Sequence, residues 1–274
     1  MSDTSSWSAV AAAWADNVGH VEQMKEPVTQ ALLAAVTLRP GQRVLEVGAG
    51  AGELARVFAA QVGPTGRVIA TDAAAGMAGV MRERIGGLPN VEVNVCDAAA
   101  TGLPDAHVDA VVARMSLMFS EDPGAAVNEA ARVLIAGGCY AAATWAGPFE
   151  NIWMSSVGMA AAMNGAVQGM SPMDPGGPFS LSEPKELVVL LEHAGFEDVT
   201  VEDVLLEVAF PDTRAHFAHV SALAGPLAVA LAAATDEVRA AVERTAAENV
   251  QSFVTETGLV FPALARVVSG RRPL

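Results

Sequence analysis

Val44-Leu45-Glu46-Val47-Gly48-Ala49-Gly50-Ala51-Gly52-Glu53 is the stretch that decides the fold. A short apolar run passes directly into three glycines spaced two apart, and a helical pattern begins behind them. Glycine lets the backbone turn tightly and approach a ligand without interference from a Cβ atom. The helix start behind the glycines offers free N–H groups and a partial positive charge. Such a place takes a phosphate or a carboxylate.

Outward from this loop, strand and helix alternate from residue 40 to residue 145. Runs at 43–47, 67–71, 91–95, 108–113 and 139–145 read as buried parallel strands. Leu54, Val57, Phe58 and Gln61 share a helical face that Gly63 closes. Asp122 before Pro123 is an N-cap with proline at the first helical position. That helix turns Val127, Ala130, Val133 and Leu134 inward and stops at Gly137-Gly138. Pro27 starts a helix through Val36, and Ser182 caps a helix ending at Gly195. The pattern predicts an α/β chain with a doubly wound, Rossmann-like sheet, helices on both faces and a mainly helical cap. It divides as 1–39 N-terminal helical cap, 40–145 core, 146–180 cap insertion, 181–211 core helix and strand, 212–257 helical cap, and 258–274 last strand and tail.

The loop also speaks about its ligand. The third glycine stands at the fifth place of the motif, and Glu53 fills the sixth, where a dinucleotide loop has glycine. Glu46 and Glu53 would both face a pyrophosphate, at a cost of a few kcal/mol across about 6 Å at an effective dielectric near 20. S-adenosylmethionine (SAM) reverses the sign, because its sulfonium and ammonium attract an acid. Asp72 ends the second strand, where a carboxylate can accept both ribose hydroxyls, for NAD as for SAM. Met77 can pack on an adenine face, and Asp97 and Ala98 follow the third strand, within reach of the adenine amino group.

These pieces resemble a class I SAM-dependent methyltransferase, closest to the small-molecule enzymes of ubiquinone and menaquinone biosynthesis. The likeness rests on 44–52, Val68-Ile69-Ala70-Thr71-Asp72, 94–98, Leu103-Pro104-Asp105, 108–114 and 131–138. His107 and Ala136 depart from the usual pattern. The resemblance implies seven strands with the last antiparallel, and SAM (product S-adenosylhomocysteine) across the strand ends at Glu46, Gly48, Gly50, Gly52, Asp72, Met77, Asp97 and Ala98. It also implies that Arg114 and Met115 lie beside the cofactor.

Composition narrows the partners. Sixteen basic against 31 acidic side chains give a formal charge of −15, the opposite of a phosphate-binding footprint. Nucleic acid is therefore excluded as a partner. No run reaches the roughly 20 apolar residues of a membrane span, and no secretory signal is visible. A cytoplasmic location is expected, without membrane insertion. The sequence permits a homo-oligomer without specifying one. Cys96 and Cys139 read as buried thiols, with a disulfide or redox pair as the alternative.

The residues after the fourth strand lack the Asn/Asp-Pro-Pro loop of amino-methylating nucleobase enzymes. No Pro-Cys nucleophile and no metal-ligand cluster occurs. Methyl transfer to a hydroxyl needs a base; His20, His216 and His219 are the candidates, the last two on one helical face. Met154, Met159, Met163, Met170 and Met173, with Phe149, Trp153 and Phe179, either line a pocket for an apolar substrate or pack the cap. Trp7, Trp14 and Met24 would form the opposite wall. The expected reaction is methylation of an O, C or N nucleophile on an apolar polyketide-, quinone- or aromatic-like metabolite. The alternative is a SAM-binding cyclase or isomerase that transfers no methyl group. An NAD-dependent oxidoreductase and a pure binding module are the remaining readings.

Overall fold

The computed structural model describes residues 4–169 and 171–274. Three helices lead in: α1 (Thr4–Ala9), α2 (Ala11–Asp16) and α3 (Val18–Val36). The core follows as β1 (Arg43–Val47), α4 (Glu53–Val62), β2 (Arg67–Asp72), α5 (Ala75–Ile85), β3 (Val91–Val95), β4 (Val108–Arg114), α6 (Pro123–Val133) and β5 (Leu134–Trp145). Next come α7 (Ile152–Met163), α8 (Pro184–His193), β6 (Glu197–Phe210), α9 (Thr213–Leu223), α10 (Gly225–Ala233), α11 (Asp236–Asn249), β7 (Val254–Thr255) and β8 (Gly258–Arg271).

The sheet order is β3-β2-β1-β4-β5-β8-β6. β1 to β5 run parallel, and β8 is antiparallel to both β5 and β6. Those seven strands match the expectation, and the two-residue β7 adds a short hairpin onto β8. Side chains alternate between the faces. Val44, Ala110, Val112, Ala141 and Ala143 meet the core that holds α3, α4 and α5. Leu45, Val111, Ala113, Tyr140 and Ala142 meet α6 and α8. Burying both faces explains the nearly continuous apolar runs. Full burial of a side chain such as Leu45 is worth about 1.5–3 kcal/mol.

Four local readings are corrected. α3 begins at Val18 and carries Pro27 inside it. Val21, Met24, Val28 and Leu32 continue one buried stripe past it, so tertiary packing overrides a penalty of about 3 kcal/mol. Val57 and Gln61 point to solvent, while Leu54, Ala55, Phe58, Ala59 and Val62 form the buried face of α4. The chain leaves α6 at Val133, and Leu134 to Gly138 already belong to β5. Glu183, without a side-chain bond, is the N-cap of α8; Ser182 is buried instead, and its carbonyl accepts from the Arg266 guanidinium. Asp122 caps α6 as read, accepting from the Ala125 N–H at 2.9 Å.

Among the described residues no single helix is long and apolar enough to cross a membrane. α9 and α10 pass that test only together, and they bend by 105° at their junction.

Candidate functional site

Two adjoining cavities lie at the carboxyl ends of the parallel strands, where open α/β sheets bind ligands. They share Trp14, Gly48 and Gly50. The larger, about 160 Å³, reaches Asp72, Met77, Asp97, Ala98 and Met115. The smaller, about 40 Å³, is lined by Glu22, Lys25, Glu46, Arg114 and the loop from Gly48 to Glu53.

The loop is built by close approach. A Cβ on Gly48 would lie 2.3 Å from the Ser116 Cβ, so only glycine fits. Ser116 in turn donates to the Val47 carbonyl at 2.7 Å, fixing β1 to the segment after β4. Gly50 is different: a Cβ there would meet nothing within 4 Å, although its φ is +57°. Its backbone therefore borders open space that a ligand can fill. The Gly50 N–H donates to Asp72 Oδ2 at 3.0 Å, and the Ala74 N–H to Oδ1 at 2.9 Å. Burial raises the Asp72 carboxyl above its ordinary range, opposed by those two N–H bonds. Each oxygen keeps one lone pair for a further donor. Met115, just after β4, holds a φ of +56°, a left-handed backbone that costs a non-glycine residue energy and recurs at functional sites.

The smaller cavity holds charge. Glu46 is 1% exposed, and its Oε2 has no hydrogen-bond partner. Burial raises its carboxyl to about 8, with Arg114 opposing. Lys25 is 6% exposed, and burial pulls its ammonium down to about 7, with Arg114 adding to the effect. Its close charge contact is the Trp14 ring, 4.7 Å from the centroid. Arg114 makes a bidentate pair with Glu22, both bonds at 2.7 Å, and donates to Thr29 Oγ1 at 2.8 Å. Helix α3 thus brings Glu22, Lys25 and Thr29 onto the ends of β1 and β4.

The three histidines come together elsewhere. His20 of α3 and His219 of α9 stack edge to face at 4.8 Å, and Phe210 touches all three imidazoles. His216 Nε2 donates to the Trp153 carbonyl at 2.5 Å, which leaves Nδ1 as an unpartnered acceptor. Burial lowers both α9 imidazoles, His219 to about 4 with His20 contributing. None of the three lines either cavity.

The methionine cluster does not enclose a pocket. Phe149, Met159, Met163 and Met173 are exposed, whereas Trp153 and Phe179 are buried; Met170 lies outside the described residues. Trp7 and Trp14 do form a wall of the larger cavity, while Met24 packs in the core. The Glu53 carboxylate, read as facing the ligand, is neutralised by Arg84 at 2.5 Å and Arg56 at 3.4 Å. Cys96 is half-buried and lines the larger cavity, Cys139 is buried, and both are free thiols. Sequence reasoning missed Glu22 and Lys25. They stand three residues apart and share a helical face, but nothing local marks that face as turned toward a cavity.

The site fits SAM on its own geometry. An orphaned buried carboxylate oxygen faces the small cavity, an open glycine cradle joins it to the larger one, and a strand-end carboxylate stands in the latter.

Comparison with known proteins agrees. Residues 45–142 match the family model described as a methyltransferase domain. The ubiquinone/menaquinone biosynthesis C-methyltransferase UbiE of Cupriavidus metallidurans is 39% identical over 107 residues, covering 39% of this chain and 44% of that one. The chain thus spans less than half the length of the curated relatives it matches. Among solved structures, the YcgJ protein of Bacillus subtilis superposes with a TM-score of 0.60 at 19% identity, over 90% of this chain and 98% of that one. Geranyl diphosphate C-methyltransferase of Streptomyces coelicolor, solved with geranyl diphosphate and S-adenosylhomocysteine, gives 0.55 at 14% identity, over 93% and 82%. Residues 45–142 are thus similar to a methyltransferase domain, and the fold is shared with the solved structures.

Proposed function

We propose that the chain is a SAM-dependent methyltransferase acting on an O, C or N nucleophile of an apolar small molecule. The observation that carries this reading is the pair of cavities joined at Gly48 and Gly50, with Asp72 in one and an unpartnered Glu46 oxygen in the other. In this reading Asp72 accepts the ribose hydroxyls with its free lone pairs. Met77, Asp97 and Ala98 border the adenine, and Gly48, Gly50 and Gly52 let the backbone close on the ligand. Glu46 meets the ammonium, and Met115 flanks the cofactor. Arg114 holds α3 in place instead of touching the cofactor directly.

Bound SAM supplies an electrophilic methyl group. The acceptor atom takes the methyl and loses a proton. The protein's task is to align the two, exclude water and receive that proton; alignment alone can be worth about 7–11 kcal/mol in favourable cases. His20, His216 and His219, read from the sequence as candidate bases, line neither cavity and so do not face an acceptor held there. A lipophilic acceptor suits a cavity walled by Trp7, Trp14, Met77 and Phe119. Quinone-type C-methylation, named for the UbiE relatives, is one form this reaction takes.

Calorimetric titration with SAM, S-adenosylhomocysteine and NAD tests the reading. Micromolar binding of the first two and none of NAD is expected, followed by products heavier by one methyl group when lipophilic acceptors are screened by mass. In a folded Asp72→Ala protein, SAM affinity should fall at least tenfold, which corresponds to about 1.4 kcal/mol. Binding of NAD alone, or undiminished affinity in that variant, would overturn the assignment.

A further inference from the structure

We propose that Lys25 receives the carboxylate of the SAM amino acid group, and that with Glu46 it makes the small cavity a receptor for a zwitterion. The inference rests on the cofactor reading above and extends it to a residue on the N-terminal helix, outside the matched domain at residues 45–142.

The two charged groups facing this cavity without partners are of opposite sign. Arg114 is the obvious cation for a carboxylate, but three of its five N–H donors go to Glu22 and Thr29, and the Glu22 carboxylate already neutralises it. Glu53 is committed to Arg84 and Arg56. Among the described residues Lys25 makes no direct hydrogen bond or salt bridge; the Trp14 face lies against it, and Glu22 and Glu46 act on it only at longer range. A lysine that is 6% exposed as a residue and has no direct acceptor is costly to hold charged unless an anion joins it. Glu46 Oε2 is the mirror case, a buried acceptor with no donor. An apolar side chain at either site would be cheaper for a protein that bound nothing there. Both groups line one cavity, so an ammonium and a carboxylate on one carbon can meet both. Trp14 of α2 lines both cavities, and its Nε1 donates to the Leu223 carbonyl at 3.0 Å, so the shared wall is tied to α9. The Arg114–Glu22 pair fixes α3, the helix that carries Lys25, to the end of β4. Lys25 is therefore presented at a set height over the glycine loop.

The test compares ligands that differ at the amino acid end, with SAM titrated as the sulfonium reference for decarboxylated SAM. S-adenosylhomocysteine carries both charges, decarboxylated SAM lacks the carboxylate, and 5′-methylthioadenosine lacks the whole amino acid group. Titrating wild type and Lys25→Met with each, the variant should lose at least tenfold in affinity for S-adenosylhomocysteine. Its affinity for 5′-methylthioadenosine and decarboxylated SAM should stay within about twofold of the wild type's, which also shows that the variant is folded. Lys25→Arg should keep more of the S-adenosylhomocysteine affinity than Lys25→Met. Equal affinity of wild type and Lys25→Met for S-adenosylhomocysteine overturns the inference alone. So does a loss shared equally by all four ligands, which would make Lys25 a folding residue. Failure of the wild type to bind any of them would remove the cofactor reading, and this inference with it.

Discussion

The two ends of the site are prepared in opposite ways. At the end proposed for adenosine the key acid is satisfied before any ligand arrives: both oxygens of Asp72 hold backbone N–H groups, from Gly50 and Ala74. At the amino acid end the key groups wait: Glu46 Oε2 has no donor, and Lys25 has no acceptor. The first end is assembled from neighbouring strand-end loops and serves as a rigid template. The second is assembled from α3, β1 and β4, and it holds two charges that burial disfavours. A ligand bringing both counter-charges relieves that cost, so binding strength is concentrated where the ligand-free protein is least comfortable.

The largest effect that could break this contrast is the pH dependence of stability without ligand. Glu46 titrates near 8 in the folded chain against 4.5 ordinarily, driven by burial. The folded state then holds a proton that the unfolded state has released, so stability falls as pH rises from 4.5 to 8. Lys25, near 7 against 10.5, does the reverse and restores stability from 7 to 10.5. A valley near neutral pH results. Glu46→Gln should remove the falling arm and raise stability at pH 9 relative to wild type, while weakening SAM binding. Urea denaturation at pH 5, 7 and 9 measures it. Parallel curves for the two proteins would mean that Glu46 is not a strained group, and the contrast between the two ends would collapse.

Next in size is the clasp that presents α3. The Arg114 side chain is 6% exposed and its partner Glu22 29%. Arg114→Met leaves the Glu22 carboxylate and the Thr29 hydroxyl without their donor, at an expected cost of about 3 kcal/mol. The denaturation midpoint reads that cost. Affinity for 5′-methylthioadenosine should fall much less than affinity for S-adenosylhomocysteine, because only the amino acid end depends on α3. If both fell alike, the two ends would be one cooperative unit.

The contrast also explains what the sequence could reveal. The lining of the larger cavity was legible because its parts sit at strand ends: Gly48 and Gly50 after β1, Asp72 at the end of β2, Asp97 and Ala98 after β3. The parallel, doubly wound sheet followed from the same alternation. Lys25 and Glu22 were not legible. They precede the glycine loop by more than twenty residues, on a helix whose face is chosen by tertiary packing. Pro27 misled the reading of that helix, since a proline signals a start where burial of Val28 and Leu32 in fact carries the helix through it. The exposed Met159, Met163 and Met173 show the converse error: composition suggests an apolar lining, but which side faces inward is decided by the neighbours.

The smallest predicted effect separates the cap from both ends of the site. His219 is held near 4 by burial and by His20 and His216 beside it. Its lowered value means that the unfolded chain takes up a proton between 6.5 and 4 while the folded chain resists. Stability is then level above pH 6.5, falls as pH drops toward 4, and falls no further through this group below that. The shift bounds the loss at about 3 kcal/mol. His219→Leu should flatten this acid arm and shift the neutral valley of Glu46 and Lys25 only slightly, because Lys25 is the smallest of the influences on His219 and His219 lines neither cavity. Denaturation at pH 4.5 and 7.5 in both proteins decides it. A strongly altered valley in His219→Leu would show that the histidine cluster and the charged cavity titrate together through α3, which carries both His20 and Lys25, and the cap would then have to be treated as part of the cofactor site.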